Sequence, residues 1–385
     1  QLDAAVKSYE KAIAIKPDYA DSHYNLAVTF QGLGQLDEAV KCYEKAIAIK
    51  PDHVEAFNNL GSTLKELGQL DTAVKSYEQI LAINPNFAEA HNNLGITFQE
   101  LGQLDEAVKC YEKAIAIKPD YAEAHNNLGI TSQELGQLDE AVKCYEKALT
   151  IKPDHVEAHN NLGNALYDLG QHDAAVKSYK QALAIKPDYA EVHNNLGLAL
   201  IELDQLDEAV KCYEKALAIK PDHVEAHNNL GNAFKELGQH DAAVKSYKQA
   251  LAIKPDYAEV HNNLGLALIE LDQLDEAVKC YEKALAIKPD YAEGHNNLGL
   301  ALMELGQLDA AVKSFEKALA IKPDFAETYN NLGNALRSLG QMDAGVNCLK
   351  KAIAIKPDFA QAQNNLGISF QEQSQVDDAV KQYEK

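Results

Sequence analysis

A chain of 385 residues with 46% apolar side chains carries enough apolar material to fold, yet is longer than one compact core normally spans. Its formal charge of −22 argues against nucleic acid and against an anionic membrane surface, both of which call for a clustered basic face. No apolar run approaches the ~18 residues of a membrane-spanning helix.

The elements follow a fixed period. All eleven prolines, from Pro17 to Pro357, fall 34 residues apart, and the pentapeptide HNNLG begins at His91, His125, His159, His193, His227, His261 and His295. A period of this size marks a stacked repeat array with one continuous core. The chain opens on a lone second helix within residues 1–19, continues through ten full repeats over 20–359, and closes on a partial repeat, 360–385. Both ends fall inside a repeat and there is no initiator Met, which reads as a fragment of a longer chain.

The repeat Ala122–His155 serves as the type, numbered 1 to 34. Asp120 with Glu123 has the form of a capping box, and His125, Leu128, Gly129, Ser132 and Leu135 (positions 4, 7, 8, 11 and 14) share one arc at 100° per residue. Helix A is therefore expected to bury that arc and to leave positions 2, 5, 6, 9, 12 and 13 on the opposite side. Gly136 suits a left-handed helix end, a role that Asp204 and Asp272 take in two other repeats. Asp139 is the expected cap of helix B, whose stripe is Ala141, Val142, Tyr145, Ala148 and Leu149. Neither helix can bury its apolar face alone, so the hairpins must stack.

Leu at position 7, Gly at 8, Ala at 20, Tyr at 24, Ala at 27 and Pro at 32 resemble the tetratricopeptide repeat, in register along the whole chain. The resemblance implies an all-α fold, a right-handed superhelical solenoid of stacked helix-turn-helix repeats whose first helices line a concave groove. A narrower likeness, Ala-His-x-Asn-Leu followed by Ala-x-x-x-Tyr and Pro-x-Phe/Tyr-Ala, is to the repeat arm of O-linked N-acetylglucosamine transferases, in which an asparagine ladder holds protein substrates. Carried across, that ladder is position 6: Asn25, Asn59, Asn93, Asn127, Asn161, Asn195, Asn229, Asn263, Asn297, Asn331 and Asn365. This chain departs from that arm in its Gly at position 8 and its Asn at position 5, and it carries no catalytic domain.

Asn costs a helix interior about 0.6 kcal/mol relative to Ala, so the position-6 set forgoes about 6–7 kcal/mol that something must offset. Two accounts compete. Each amide could grip the backbone of an extended peptide, or each could bond a neighbouring repeat and lock the stacking. Position 13 adds acids, Glu66, Glu100, Glu134, Asp168, Glu202, Glu236, Glu270 and Glu304 among them, and position 2 adds ten more. Against these stand only Lys65, Lys235 and Arg337, so a groove built this way favours extended protein segments that are neutral or basic.

Other constellations read as structural. The histidines at position 4 lie one repeat apart and share their slot with Phe57 and Tyr329, which points to ring packing and away from a metal site. The six cysteines alternate with Ser at one repeat position and are spaced too far apart for disulfides. No catalytic constellation, metal site or cofactor motif stands out, and no enzyme activity is expected of this chain alone. The compartment is left open, with the cytoplasm the expected one. Val156–His223 and Val224–Tyr291 are nearly identical, the mark of a tandem duplication. At the far end Gln363, Gln373 and Gln382 replace His, Leu and Cys in the manner of a partial cap, and the cut ends offer a head-to-tail contact between copies.

Overall fold

A computed structural model describes residues 2–383, with side chains described through residue 374; Gln382 lies outside the described side chains. Among the described residues the chain is all α, twenty-two helices without a strand. It forms two compact units, residues 1–188 and 189–385. In each unit the repeat is an antiparallel hairpin. Helix A covers positions 1–13, as in Ala122–Glu134, and helix B covers positions 17–30, as in Leu138–Ile151.

Small residues set the spacing. Ala at positions 3, 20 and 27, as in Ala124, Ala141 and Ala148, is fully buried, which lets backbones approach closely. Tyr145 at position 24 is buried among them, and full burial of such a ring is worth about 1.5–3 kcal/mol. It fits because position 8 is Gly: a Cβ built on Gly129 would stand 2.6 Å from Tyr145 Cε1. The same fit recurs at Gly61 with Tyr77, Gly231 with Tyr247 and Gly265 with Tyr281. Gly at position 8, a departure from the glycosyltransferase arm, thus follows from the size of the ring it faces.

The turn glycine behaves as its sequence context predicts. Gly136 has φ of 75°, and Asp204 and Asp272 take φ of 58° in its place. In the last repeat Ser374 occupies this slot, and the chain runs on as one helix, Ala360–Tyr383. There Gln373 Nε2 donates to Asp343 Oδ1 at 3.1 Å.

The caps differ from expectation. Helix A starts after Tyr121, and neither Tyr121 nor Gln137 makes a side-chain cap bond, so Asp120 and Asp139 are not N-caps. Pro119 and Asp120 form a turn that places Asp120 one residue too early. Asp139 already lies inside helix B, where its charge favours the first turn.

Within each unit helix A of one repeat touches helix A of the next, whereas no two B helices bring Cα atoms within 8 Å of each other among the described residues. Within each unit the A helices therefore form a continuous wall, and the B helices stand apart with clefts between them.

Candidate functional site

The asparagines of the A wall are bonded from repeat to repeat. The Nδ2 group at position 6 donates to Oδ1 of the position-5 Asn one repeat earlier. In the first unit Asn93 reaches Asn58 at 2.9 Å, Asn127 reaches Asn92 at 3.1 Å and Asn161 reaches Asn126 at 3.2 Å. In the second, Asn229 reaches Asn194 at 3.0 Å, Asn263 reaches Asn228 at 3.3 Å and Asn297 reaches Asn262 at 3.0 Å. Asn331 and Asn365 continue to Asn296 at 3.1 Å and Asn330 at 2.8 Å. Where Tyr24 replaces the position-5 Asn, Asn59 donates to its hydroxyl at 3.1 Å. Asn25 accepts at its backbone oxygen from Thr29 Oγ1, and Asn195 Oδ1 accepts from Asn194 at 3.4 Å.

The two positions have different environments. Position 5 is buried in most repeats, with Asn92, Asn126, Asn262 and Asn330 all below a tenth exposed. The helical arc had placed it on the open face beside position 6. An isolated helix cannot show that the adjacent A helix covers position 5. Asn296 has little capacity left: it accepts from Thr328 Oγ1 and Asn331 and donates to Asn297. Position 6 is half-buried in every repeat but the last. Its amide has a second N–H, which at Asn263 goes to Asn232 Oδ1 at 3.3 Å, and its oxygen is engaged at 3.3 Å or more, as at Asn93, Asn297 and Asn331. A neutral hydrogen bond nets about 0.5–1.5 kcal/mol, enough to offset what Asn costs the helix.

A second polar row runs nearly two turns further along. Lys65 Nζ reaches Glu100 at 3.0 Å, Gln99 Nε2 reaches Glu134 at 2.8 Å and Gln133 Nε2 reaches Asp168 at 3.0 Å. These are position 12 bonding position 13 of the next repeat. The buried tyrosines feed into it: Tyr111 donates to Gln99 Oε1 at 3.1 Å and Tyr145 to Gln133 Oε1 at 3.2 Å. Burial pushes the Tyr43 phenol up to about 12 and raises Tyr111, Tyr145, Tyr247 and Tyr281 as well, so these hydroxyls stay protonated donors.

All eight predicted position-13 acids are exposed. Glu236, Glu270 and Glu304 make no hydrogen bond or ion pair among the described residues. The position-2 acids need a correction. Lys at position 31 of the same repeat meets them, as in Lys118–Glu89 at 3.8 Å, Lys152–Glu123 at 3.7 Å and Lys356–Glu327 at 3.4 Å. At Glu55, Glu157 and Glu225 the His two residues earlier stands against the carboxylate, as in His155–Glu157 at 3.2 Å. Counting the five Lys-paired carboxylates as bare negative charge overstated the field, because their partners lie some thirty positions away in the repeat.

The position-4 histidines have a definite role that residue pattern alone missed. Nε2 bonds the carbonyl of the proline in the preceding turn: His91 to Pro85 at 3.0 Å, His125 to Pro119 at 3.1 Å, His261 to Pro255 at 2.9 Å. An accepting carbonyl fixes the proton on Nε2. Desolvation lowers the pKa of His91, His125 and His295 against the raising effect of that bond. The recurrent Pro six residues before each His was the available signal.

Comparison with known proteins agrees with the repeat geometry. Tetratricopeptide-repeat models match residues 1–34 and 163–204, 18–86, 55–120 and 86–154, and 132–179. A further model, the Cilia and flagella-associated protein 70 C-terminal domain, matches residues 189–385. No curated protein matches the sequence. Among solved structures the chain is similar to MamA, at 28% identity and TM-score 0.41 over 45% of this chain and 94% of that one. It is similar to YrrB, described as a TPR protein with an unusual peptide-binding site, at 23% identity and TM-score 0.43 over 49% and 97%. PilF of Pseudomonas aeruginosa aligns at 20% identity and TM-score 0.47 over 52% and 92%. The chain belongs to the tetratricopeptide-repeat proteins, and its residues 189–385 to the family of that C-terminal domain.

Proposed function

We propose that the chain is a protein-interaction scaffold whose A-helix wall forms a groove for extended protein segments. The observation that carries this reading is the half-exposed row of position-6 amides, each with hydrogen-bonding capacity beyond its inter-repeat bond. Extended backbone presents N–H and C=O groups that such amides can satisfy without reading side chains. In the second unit the row is flanked by Leu266, Ile269, Leu300 and Met303 and by the unpaired Glu236, Glu270 and Glu304. A segment bound there would be basic with apolar side chains.

The test separates gripping from stacking by breaking the same bonds from either side. One variant changes Asn127, Asn161, Asn229, Asn263 and Asn297 to Ala. The other changes their acceptors Asn92, Asn126, Asn194, Asn228 and Asn262 to Ala. Both lose the bonds to position 5, with Asn263 keeping in the second variant its further bond to Asn232, but only the first loses the exposed amides. Capture of a mixed library of unstructured peptides that falls in the first and survives in the second supports the binding role. Equal loss in both, following their melting temperatures, reduces the row to mortar between repeats.

Two further readings follow from the sequence. As the substrate-recruiting arm of an O-linked N-acetylglucosamine-transferase-like enzyme, the same row would hold the acceptor protein, and a glycosyltransferase domain in the parent chain is the observation that reading requires. As an architectural array, copies would join end to end, and concentration-dependent light scattering would report it.

A further inference from the structure

Clefts between neighbouring B helices recur, and one in the second unit is larger than two in the first. It lies between His240–Ile253 and Leu274–Ile287, with His261 and Leu264 of Ala258–Glu270 as its floor, and has a volume of about 790 Å³. Two clefts of the first unit measure about 310 and 360 Å³. Small-molecule sites span about 300–1,000 Å³, so the large cleft has room for a ligand with a substantial apolar part.

Its charge is also distinct. The first-unit clefts are balanced: Glu10 and Glu38 against Lys41 and Lys45, and Glu112 and Glu140 against Lys143 and Lys147. The large cleft has Lys248, Lys279 and Lys283 against Glu276 alone. The difference from those two clefts is Lys248 at position 25, where Glu10 and Glu112 stand; Lys180 and Lys350 hold the same position in two other B helices. None of its three lysines comes within 4 Å of a carboxylate among the described residues; of the lysines lining the first-unit clefts, Lys143 alone does, pairing with Glu140 at 3.1 Å. Lys248, Lys279 and Lys283 line the cleft together with Cys280, whose thiol pKa burial raises. Leu251, Leu264 and Ile287 supply the apolar surface between them.

We infer that this cleft binds a single-chain anionic amphiphile, a long-chain carboxylate, with the alkyl chain on the Leu251–Leu264–Ile287 surface and the head group among Lys248, Lys279 and Lys283. Unpaired cations and apolar surface in one slot are complementary to that chemistry, while the charge of −22 opposes adsorption to an anionic bilayer.

Cys280 lies in the cleft and reports on it. Two full-length variants each keep one cysteine, Cys280 or Cys144, with the other five changed to Ser, the residue native to Ser76, Ser178 and Ser246 at the same position. Their alkylation by iodoacetamide is timed with sodium dodecanoate below its micelle concentration. At about ten times the dissociation constant, the rate at Cys280 should fall about tenfold while that at Cys144 holds. Lys248→Glu, which restores the residue native to other B helices, should weaken the protection about tenfold. Lys313→Glu, outside the cleft, should leave it unchanged. Equal protection of Cys144, equal protection by dodecyltrimethylammonium, or protection that survives Lys248→Glu would each overturn the assignment in favour of general adsorption. Protection only by phosphatidylglycerol vesicles would overturn it in favour of a membrane surface.

Discussion

The two units share one skeleton and differ in what covers it. Both place Gly at position 8 against the ring at position 24, as in Gly129 with Tyr145 and Gly265 with Tyr281, and both carry the Asn bonds between A helices. In the first unit Gln99 and Gln133 take the tyrosine hydroxyls and pass hydrogen bonds on to Glu134 and Asp168. In the second, Arg337 still pairs with Glu372 at 3.8 Å, but Ile269 and Met303 occupy that position in two repeats, where Tyr281 has no side-chain acceptor and Glu270 and Glu304 are unpaired among the described residues. The fold is thus carried by positions that barely vary, leaving positions 9 and 12 free to set the chemistry of the wall.

The largest effect expected is common to both units. Raised phenol pKa values mean that above pH 10 the unfolded chain releases protons that the folded chain retains. Stability is therefore full below pH 10 and declines as pH rises toward about 12, the value reached by Tyr43. Phenolate absorbance should rise in step with loss of helical circular dichroism. Titration that runs well ahead of unfolding would mean the rings are accessible. On the acid side the lowered pKa values of His91, His125 and His295 act in the opposite direction, removing stability as pH falls below 6.5.

Next is Gly→Ala at position 8. In an open helix the change gains about 0.8–1 kcal/mol of propensity. Here the new methyl meets a buried ring at about 2.6 Å, and overpacking of that kind costs about 1–3 kcal/mol. Gly129→Ala and Gly265→Ala should both lower the melting temperature, while Gly367→Ala, with nothing within 4 Å, should raise it. A gain at Gly129 or Gly265 would break the claim of a common skeleton.

What the sequence revealed and what it hid divide along the same line. The period, the hairpin, the buried stripe and the left-handed Gly136 were legible because each depends on residues near in sequence. The burial of Asn126, the pairing of Glu123 with Lys152 and the binding of His125 to the Pro119 carbonyl were not read, since each depends on how helices meet. The caps failed for a local reason: the Pro119–Asp120 turn shifts the helix start by one residue, which a motif match at Asp120 does not register.

Tyrosine to phenylalanine measures the covering directly. Tyr145→Phe strands Gln133 Oε1 and should cost about 0.5–1.5 kcal/mol, whereas Tyr281→Phe removes a hydroxyl with no side-chain partner and should cost almost nothing. Phe315 fills the same slot natively and is fully buried. Thermal melts of the pair should differ in that order. Equal losses would mean that the relay through Gln133 adds no stability.

The smallest effect on stability separates most clearly what the acids do. Glu100 accepts from Lys65 with side chains 42% and 28% exposed, and such a pair is worth about 0.2–1 kcal/mol. Glu100→Gln should lower stability by that amount, less at high salt. Glu270 has no partner and lies between the like-charged Glu236 and Glu304 along the wall, so Glu270→Gln should leave stability unchanged or slightly raised. The order reverses for binding. Glu100 is already neutralised and its loss should leave capture of basic peptides nearly intact, whereas Glu270→Gln should weaken it, with a shallower dependence on salt. If both substitutions change capture equally, the wall attracts by its summed charge, and the pairing of individual carboxylates has no bearing on what it binds.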